Sequence, residues 1–369
     1  MVATPPPVSS PAGSVLSGLE AVRRWAADFY RDLHAHPELS HEEHATAAKV
    51  AERLAASGIT THTGIGGTGV VGLIRNGDGP VVLLRADMDA LPVAEATGLD
   101  YASSATATDN AGSEVPVMHA CGHDMHVACL LGATHLLASG TGHWTGTVVS
   151  VFQPAEETGD GARCMLDDGL AALVAKPDLA PAHHVLPAPA SRSCSASAAS
   201  RPAPRAVIPG NAVIELNVRT YSEQTRTADL DAIKRIADAE REASGSPEPA
   251  DDELFDRFPL TDSDPESTKR AAAAFSDFFV KLARPLPMQM AKEGVSDIPS
   301  ALEVPYRDWG IGGTDPQRHP AAEEAGRADR DIHVNYSASF FPARRPTLDA
   351  GVQAMIVTAL AWLAQSRAS

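Results

Sequence analysis

Apolar runs typical of buried β-strands alternate with helical patterns through the first half of the chain. The runs VVGLIR, PVVLLR and GTVVSVFQ are rich in β-branched side chains and are bounded by Gly, Pro or polar residues. Segments with apolar residues at helical spacing precede and follow these runs. Strands that alternate with helices indicate a sheet covered on both faces, so we predict a three-layer α/β/α domain.

Local signals predict how several elements begin and connect. Residues 17–20 (SGLE) and 40–43 (SHEE) each match a capping box, which predicts two helix starts. Residues 76–79, Asn-Gly-Asp-Gly, lie between VVGLIR and PVVLLR and predict a hairpin that joins these two strands. Residues 264–265, Asp-Pro, predict another helix start, and an amphipathic helix over residues 348–364 closes the chain.

Composition narrows the class of protein. The 369-residue chain has a formal net charge of −17, which argues against a nucleic-acid partner. Four cysteines in so long a chain do not make a disulfide framework and suit a reducing compartment. Residues 1–16 lack a signal-peptide pattern and are predicted to be a disordered lead-in. Because no apolar run approaches the ~20 residues that span a bilayer, we expect no membrane association and a cytoplasmic location.

Composition changes near Pro187, where a stretch rich in Ser, Ala and Pro is interpreted as a linker. Beyond it, residues 212–221 alternate apolar and polar side chains, which predicts a half-buried antiparallel strand. A helix is predicted over residues 227–243, and residues 251–258 are a candidate edge strand.

The stretch VMHACGHDMH, residues 117–126, is the first indication of function. It contains three imidazoles, one thiol and one carboxylate around a single glycine. Such side chains bind borderline metals such as zinc, manganese and cobalt, whereas polar loops usually draw on Gly, Pro, Ser, Asn and Asp. The stretch therefore predicts a metal site that needs further ligands from elsewhere in the chain.

Glu156 and Glu157 follow the strand GTVVSVFQ closely, and neighbouring carboxylates at a strand end point in different directions. One of them can bind a metal ion while the other faces a substrate. Alone, the pair would be interpreted as a solvated acidic loop. Together with the His-Cys stretch and the later His184, it supplies ligands for a two-metal site and a free carboxylate base, which metal-assisted hydrolysis requires.

Several stretches resemble the amidohydrolase branch of the M20 metallopeptidase family, which includes hippurate hydrolases and N-acyl-amino-acid amidohydrolases. They cover most of the chain in the family's order: LHAHPELSHEEHATA, GIGGTGVVG, LLRADMDALPVAEATGLDYAS, VMHACGHDMH, VFQPAEETGDGA, HHVLPAP, VIPGNAVIELNVRT and WGIGGTDP. The resemblance implies a metallohydrolase domain over residues 17–188 and 259–369. An inserted, truncated α+β capping domain would occupy residues 189–258.

The resemblance also assigns roles to individual residues, with Glu156 as the catalytic base. The implied metal ligands are Cys121, His123, Glu157 and His184. The carboxylates expected to orient these ligands are Asp87, Asp89 and Asp124. The side chains interpreted as structural are His119, His126, Cys129 and Cys164. His183 is the weaker ligand candidate beside His184.

The implied cofactors are two divalent ions, zinc, manganese or cobalt, and the implied substrates are small N-acyl amino acids. Arg219 could hold a substrate carboxylate bidentately, although a solvent-facing arginine is an equally good interpretation. Glu293 is what remains of the family's Ser-Glu-Asp segment, which reads Lys292-Glu293-Gly294 here. We name it as a second candidate to support the ligands or the substrate.

Two departures from the family matter. The capping domain through which relatives commonly dimerise is shortened, so a homodimer and a monomer are both open. The family's last metal ligand is a His in an Asn-His-Ser-Pro context, but Tyr336 stands in its place. Tyrosine binds zinc or manganese weakly near neutral pH because its pKa is about 10. His333, three residues earlier, is an alternative that is out of register, so the second ion is expected to bind weakly.

Two functions therefore compete. The first is hydrolysis of the amide bond of N-acyl amino acids or similar small amides. The second is that of an impaired relative which folds and binds a metal or small ligand without efficient turnover. A cysteine mechanism, with Cys121 as nucleophile and His123 as base, is disfavoured because such close residues of one turn cannot readily meet in line.

Overall fold

The computed structural model describes residues 10–109, 111–187, 214, 216, 218–245, 248, 251–254, 261–279 and 294–363. The chain divides into two compact units. The larger unit comprises Met1–Ala190, Thr261–Leu286 and Glu293–Ser369. The smaller unit comprises Ser191–Leu260 and Pro287–Lys292.

A mixed six-stranded sheet forms the centre of the larger unit, and two short strands form a separate ribbon. The strands are β1 (Thr60–Ile65), β2 (Gly69–Asn76), β3 (Val81–Asp87), β4 (Thr106–Thr108), β5 (Glu114–Pro116), β6 (Gly146–Gln153), β7 (Ala180–Leu186) and β8 (Tyr306–Gly312). The order in the large sheet is β1-β2-β6-β3-β7-β8. β1, β2 and β6 pair antiparallel, whereas β6, β3, β7 and β8 run parallel.

Helices cover both faces of this sheet. The α-helices of the larger unit are α1 (Pro11–Leu16), α2 (Leu19–Ala35), α3 (His44–Ala56), α4 (His123–Ser139), α5 (Gly161–Asp167), α6 (Leu170–Leu173), α8 (Pro265–Phe279), α9 (Asp297–Ala301), α10 (Arg318–Glu324), α11 (Ala328–Asp331) and α12 (Arg344–Leu363). The helix α7 (Glu223–Ser244) belongs to the smaller unit. Val82 and Leu84 of β3 belong to a core with α2, α4 and α12, whereas Leu83 belongs to a second core with α5 and α9. Side chains of a strand alternate between faces, so two helical layers enclose the sheet and the predicted α/β class is confirmed.

The predicted hairpin between VVGLIR and PVVLLR is wrong. These runs form β2 and β3, but β6 lies between them in the sheet. β6 pairs antiparallel with β2 through residues 146–152 and parallel with β3 through residues 147–153. Because β6 is apolar on both faces, it suits a central position with neighbours on each side. The turn over residues 77–79 therefore joins two strands, β2 and β3, that are not neighbours, because β6 lies between them.

Both predicted capping boxes are wrong. The first is absent because α2 begins after Gly18 without a side-chain cap. At the second, Glu38 accepts two backbone N–H groups from the first turn of α3, at 2.9 and 2.7 Å. Ser40 and Glu43 turn inward and bind Asp89 and Ala155 instead. Hydrogen bonds to buried groups, the carboxylate of Asp89 and the N–H of Ala155, therefore replace the helix caps that the local pattern predicts.

The predictions for α8 and α12 agree with the structure. Asp264 Oδ1 accepts the N–H of Ser267 in the first turn of α8 at 2.7 Å. α12 is, among the described residues, the one helix long and apolar enough to cross a membrane, contrary to the expectation that no such run exists. However, 72% of that apolar stretch is buried inside the fold, as is usual for a core helix.

The smaller unit is described mainly by α7, which confirms the predicted helix. Ser222 accepts the N–H of Thr225 at its start, and Gly245 ends it with φ of 70°. The predicted strand is absent at its described residues, and Ile214 is 75% exposed there. A strand needs a covering layer to bury its apolar face, and the described apolar side chains of this stretch are exposed. The linker, the rest of this strand and half of the candidate edge strand lie outside the described residues.

Candidate metal centre

Polar side chains converge where β3, β6 and β7 end and α4 begins. The predicted site residues brought together there are Asp87, Asp89, Cys121, His123, Glu156, Glu157 and His184. Ligand sites in open α/β sheets commonly lie at the carboxyl ends of strands. Gly122, with φ of 88°, supplies the turn that lets Cys121 and His123 face the same place.

His123 is held by one ring nitrogen and faces the carboxylates with the other. Its Nδ1 lies 3.0 Å from the carbonyl oxygen of Asp89 and 3.1 Å from Oδ1 of the same residue. Its Nε2 lies 3.6 Å from Asp87, 3.9 Å from Glu156 and 3.8 Å from Glu157. That nitrogen is buried and has no hydrogen-bond partner among the described residues. A buried, unsatisfied imidazole nitrogen that faces carboxylates fits a metal ion.

Cys121 and His184 form the other side of the cluster. Their Sγ and Nε2 atoms are 3.3 Å apart. His184 Nδ1 donates to the carbonyl oxygen of Val185 at 2.8 Å, which leaves Nε2 as the metal-binding nitrogen. Asn335 Nδ2 donates to the carbonyl oxygens of Cys121 and Val185 at 3.0 and 3.1 Å. This amide fastens the Cys121 turn to the end of β7.

His126 supports Asp87 and is not free to bind an ion. Its Nε2 accepts the N–H of Val185 at 2.8 Å, so its proton is on Nδ1, which donates to Asp87 Oδ1 at 2.5 Å. Burial lowers the pKa of His126 to about 4 and keeps the ring neutral. Burial alone would raise the pKa of Asp87, but His123, His126 and Arg85 together hold it well below its usual range. Asp87 is therefore an anion that can attract a cation.

Glu156 is buried beside this cluster and is held by a backbone group. Its Oε1 accepts the N–H of Gly294 at 2.8 Å. A Cβ atom at residue 294 would lie 3.2 Å from both Cγ and Oε1 of Glu156, so glycine allows the close approach. Burial raises the pKa of Glu156, which suits a group that accepts and returns a proton.

Asp89 joins three segments of the site. Its Oδ2 accepts the hydroxyl of Ser40 at 2.7 Å and the backbone N–H of Glu157 at 2.8 Å. Its Oδ1 faces His123 Nδ1 at 3.1 Å. Asp89 thus orients two predicted ligands, His123 by a contact with its ring and Glu157 by a hydrogen bond with its backbone.

Asp124 lies in a neighbouring buried cluster rather than against a predicted ligand. It accepts from His34 Nδ1 at 2.6 Å, and His34 Nε2 lies 3.1 Å from Glu95. Burial alone would lower the pKa of His34, but the two carboxylates raise it to about 9. Sequence reasoning missed this cluster, although His34 lies within the matching stretch LHAHPELSHEEHATA.

The stability of the protein should fall as the pH rises from about 6.5 to about 9. His34 titrates near 6.5 when unfolded and at about 9 when folded, so its contribution is complete below pH ~6.5 and lost above. The difference between these two pKa values corresponds to on the order of 3 kcal/mol of unfolding free energy. Urea unfolding over this pH range should show the loss in the wild type but not in His34→Gln. The exposed neighbour His36→Gln is the control, and an unchanged slope in His34→Gln would contradict the prediction.

Tyr336 reaches the cluster from the loop that holds Asn335. Its backbone N–H donates to the carbonyl oxygen of Ala120 at 2.9 Å, and its φ is 68°. Its phenol lies near Cys121, although the residue is 50% exposed overall. Burial of the hydroxyl end, with Cys121 and Glu157 nearby, raises the pKa of Tyr336. His333 contacts Arg318 at 3.3 Å instead.

The remaining candidates lie elsewhere. Glu293 is outside the described residues, and Arg219 is exposed in the smaller unit. His183 is buried between His126 and Trp309, with ring centroids 5.3 and 5.9 Å away. The other side chains interpreted as structural are buried His119, buried Cys129 and half-buried Cys164.

The chain is similar to known proteins over part of its length. Residues 83–340 match the peptidase family M20/M25/M40. The chain is 43% identical over 145 residues to IAA-amino acid hydrolase ILR1-like 6 of Arabidopsis thaliana, a match covering 39% of this chain and 29% of that protein. It is 44% identical over 140 residues to N-acetyl-L-cysteine deacetylase of Bacillus subtilis, covering 38% and 32%. Each match thus spans about a third of the curated relative.

A solved structure extends the likeness to nearly the whole chain. The Bacillus subtilis YXEP protein, described as a dinuclear metal binding peptidase from the M20 family, superposes with a TM-score of 0.70 at 25% identity. The alignment covers 92% of this chain and 98% of that chain. The family predicted from the sequence motifs is confirmed: this chain belongs to peptidase family M20/M25/M40.

Proposed function

We propose that this protein is a metal-dependent amidohydrolase that cleaves N-acyl amino acids or similar small amides. The observation that carries the proposal is the buried Nε2 of His123, which faces the carboxylates of Asp87, Glu156 and Glu157 without a hydrogen-bond partner among the described residues. Relatives whose names describe hydrolysis of an IAA-amino acid and deacetylation of N-acetyl-L-cysteine support the choice of substrate class.

The donor set fits two divalent ions. Cys121, His123 and His184 offer donor atoms within 4.8 Å of one another, and so do His123, Glu156 and Glu157. Mixed thiolate, imidazole and carboxylate donors suit zinc, manganese or cobalt. When bound, the ions would supply Lewis-acid activation of water and of the amide carbonyl.

The chain itself supplies the proton transfer. Glu156 would take a proton from the attacking water and deliver it to the departing amine. Its contact with Gly294 N–H leaves Oε2 directed toward the cluster, 3.9 Å from His123 Nε2. Glu157 would hold an ion, because its backbone is fixed by Asp89 on the same side of the cluster. The products are a carboxylic acid and a free amine.

The place of action that we propose is a reducing compartment such as the cytoplasm. The three described cysteines are all free thiols, and Cys121 is most useful as a reduced ligand. Roles for Arg219 at the substrate carboxylate and for Glu293 stay predictions, as does a homodimer.

The direct test is a hydrolysis panel of hippurate and several N-acetyl amino acids, with manganese, zinc or cobalt added to metal-depleted protein. We expect turnover that depends on added metal and disappears with a chelator. Metal-independent turnover, or none on any of these amides, would overturn the proposal.

Tyr336 favours a second candidate function, that of a relative with weak turnover. Its phenol occupies the edge of the cluster at Cys121, where a neutral hydroxyl is a poor ligand. In that case the wild type holds one ion tightly and a second weakly. Two tightly held ions per chain in the purified protein would exclude this alternative.

Tyr336→His should strengthen binding of the second ion by at least about tenfold and raise kcat. Even an outer partner of a metal ligand is worth about 10- to 100-fold in affinity, so a new ligand should matter at least as much. Calorimetric titration of metal-depleted protein with Mn²⁺ measures this, with Tyr336→Phe as the control that only removes the hydroxyl. Equal second-ion affinities for the three proteins would refute the ligand argument.

A further inference from the structure

Glu43 is a fully buried carboxylate that lies outside the predicted ligand set. It directly precedes α3, yet it makes no cap there. Its Oε1 accepts the backbone N–H of Ala155 at 2.8 Å, and its Oε2 accepts the hydroxyl of Thr68 at 2.6 Å. Burying a carboxylate is costly, and the two hydrogen bonds offset that cost. The burial of a charged side chain at this position therefore needs an explanation.

Ala155 immediately precedes Glu156 and Glu157 in the chain, so its backbone conformation sets where their side chains point. Its φ is 48°, in the left-handed region, which is unfavourable for a residue other than glycine. Its carbonyl oxygen accepts the N–H of Gly161 at 3.1 Å, and a Cβ atom at residue 161 would lie only 1.8 Å from the carbonyl oxygen of Pro154. A strained conformation persists only where its surroundings impose it, and the contact from Glu43 is one such constraint.

The neighbouring residue Ser40 acts on the other side of the same turn. Its hydroxyl donates to Asp89, which also accepts the N–H of Glu157. Residues 40–43 therefore contact the turn before Glu156 directly and the residue after it through Asp89. The stretch SHEE is thus hydrogen-bonded to both sides of the turn that carries Glu156.

We propose that Glu43 is a positioning residue that aims Glu156 and Glu157 at the metal centre by holding the N–H of Ala155. The effect on turnover rests on the proposed function, whereas the effect on metal affinity does not. Displacement of reacting groups by about 1 Å costs on the order of 100-fold in rate, so a shift of this turn should be readily measured.

The test compares Glu43→Ala, Glu43→Asp and Glu43→Gln, with the adjacent Glu42→Gln as control because the Glu42 side chain is 70% exposed. Glu43→Ala removes the contact, and Glu43→Asp keeps the charge but shortens its reach. Each should lower Co²⁺ affinity and kcat by about 10- to 100-fold with KM changed less than about threefold. Glu43→Gln should retain most of both, since its amide oxygen can accept from Ala155 while its NH₂ donates to Thr68.

Thermal unfolding and the visible spectrum of bound Co²⁺ complete the measurement. A purely structural role predicts a lower Tm with wild-type Co²⁺ affinity and kcat in the folded fraction, and that result would overturn the proposal. If Glu43→Ala does not fold, wild-type affinity and spectrum in Glu43→Asp would overturn it equally. If the wild type hydrolyses no amide, the proposed function fails, but the Co²⁺ affinities still decide the role of Glu43.

Discussion

Glu156→Gln is expected to lower kcat by about 10²- to 10⁴-fold while the protein keeps its bound metal. Glutamine has nearly the same shape, and its amide oxygen can still accept the N–H of Gly294. It cannot take a proton from water, so only the proton transfer is lost. Steady-state kinetics on the best substrate, together with metal content by atomic emission, would measure both quantities.

Glu157→Gln is the matched control for this substitution. Glu157 is the adjacent carboxylate, and its Oε1 lies 3.8 Å from His123 Nε2, nearly the same distance as the 3.9 Å of Glu156 Oε2. If the assigned roles hold, Glu157→Gln loses metal and regains part of its activity at high metal concentration. Near-normal kcat in Glu156→Gln, or equal metal loss in both variants, would exclude Glu156 as the base.

Several members of the cluster are predictable from the sequence because they lie at or just past the end of an element, whereas the ligand roles come from the family resemblance. Asp87 ends β3, Glu156 follows β6 closely and His123 begins α4, so the topology of an α/β sheet brings them together. The chemistry of the side chains then suggested a metal. The position of a residue at the end of an element and the chemistry of its side chain can both be read from the local sequence.

The sequence could not predict which atoms each side chain would use. His123 and His126 lie on the same turn of α4, but only His126 meets the backbone N–H of Val185, which occupies its Nε2. His34 meets Glu95 across 61 residues of sequence, and no local spacing encodes that distance. Local signals also failed where a buried group competed for the same side chain, as at Ser40.

The hairpin prediction is wrong because a local turn signal cannot account for a strand that is distant in sequence. An Asn-Gly turn favours a reversal of the chain, but it does not specify which strand becomes the neighbour. Here β6, which is distant in sequence, pairs with both β2 and β3 and separates them. Burial of both faces of β6 outweighs the local preference of the turn.

His123→Asn is expected to weaken binding of the ion that His123 holds by more than about 100-fold. His123 belongs to each group of donors that could hold an ion among the described residues, and its one free nitrogen, Nε2, can bind one of those ions. Asparagine suits the test because its amide nitrogen can replace Nδ1 in the contact with Asp89, while nothing replaces Nε2. Metal titration followed by circular dichroism would measure the affinity and confirm the fold.

His135→Asn is the control for this change, because it makes the same substitution on α4 but away from the cluster. His135 contacts Ser57 at 2.9 Å and packs against Trp25. We expect it to keep metal affinity and kcat near the wild type. His184→Ala should separate the two positions, since it removes a donor only from the group with Cys121 and should leave one ion bound. A folded His123→Asn protein that still binds two ions would show that the metal lies elsewhere, and the proposed centre would then be wrong.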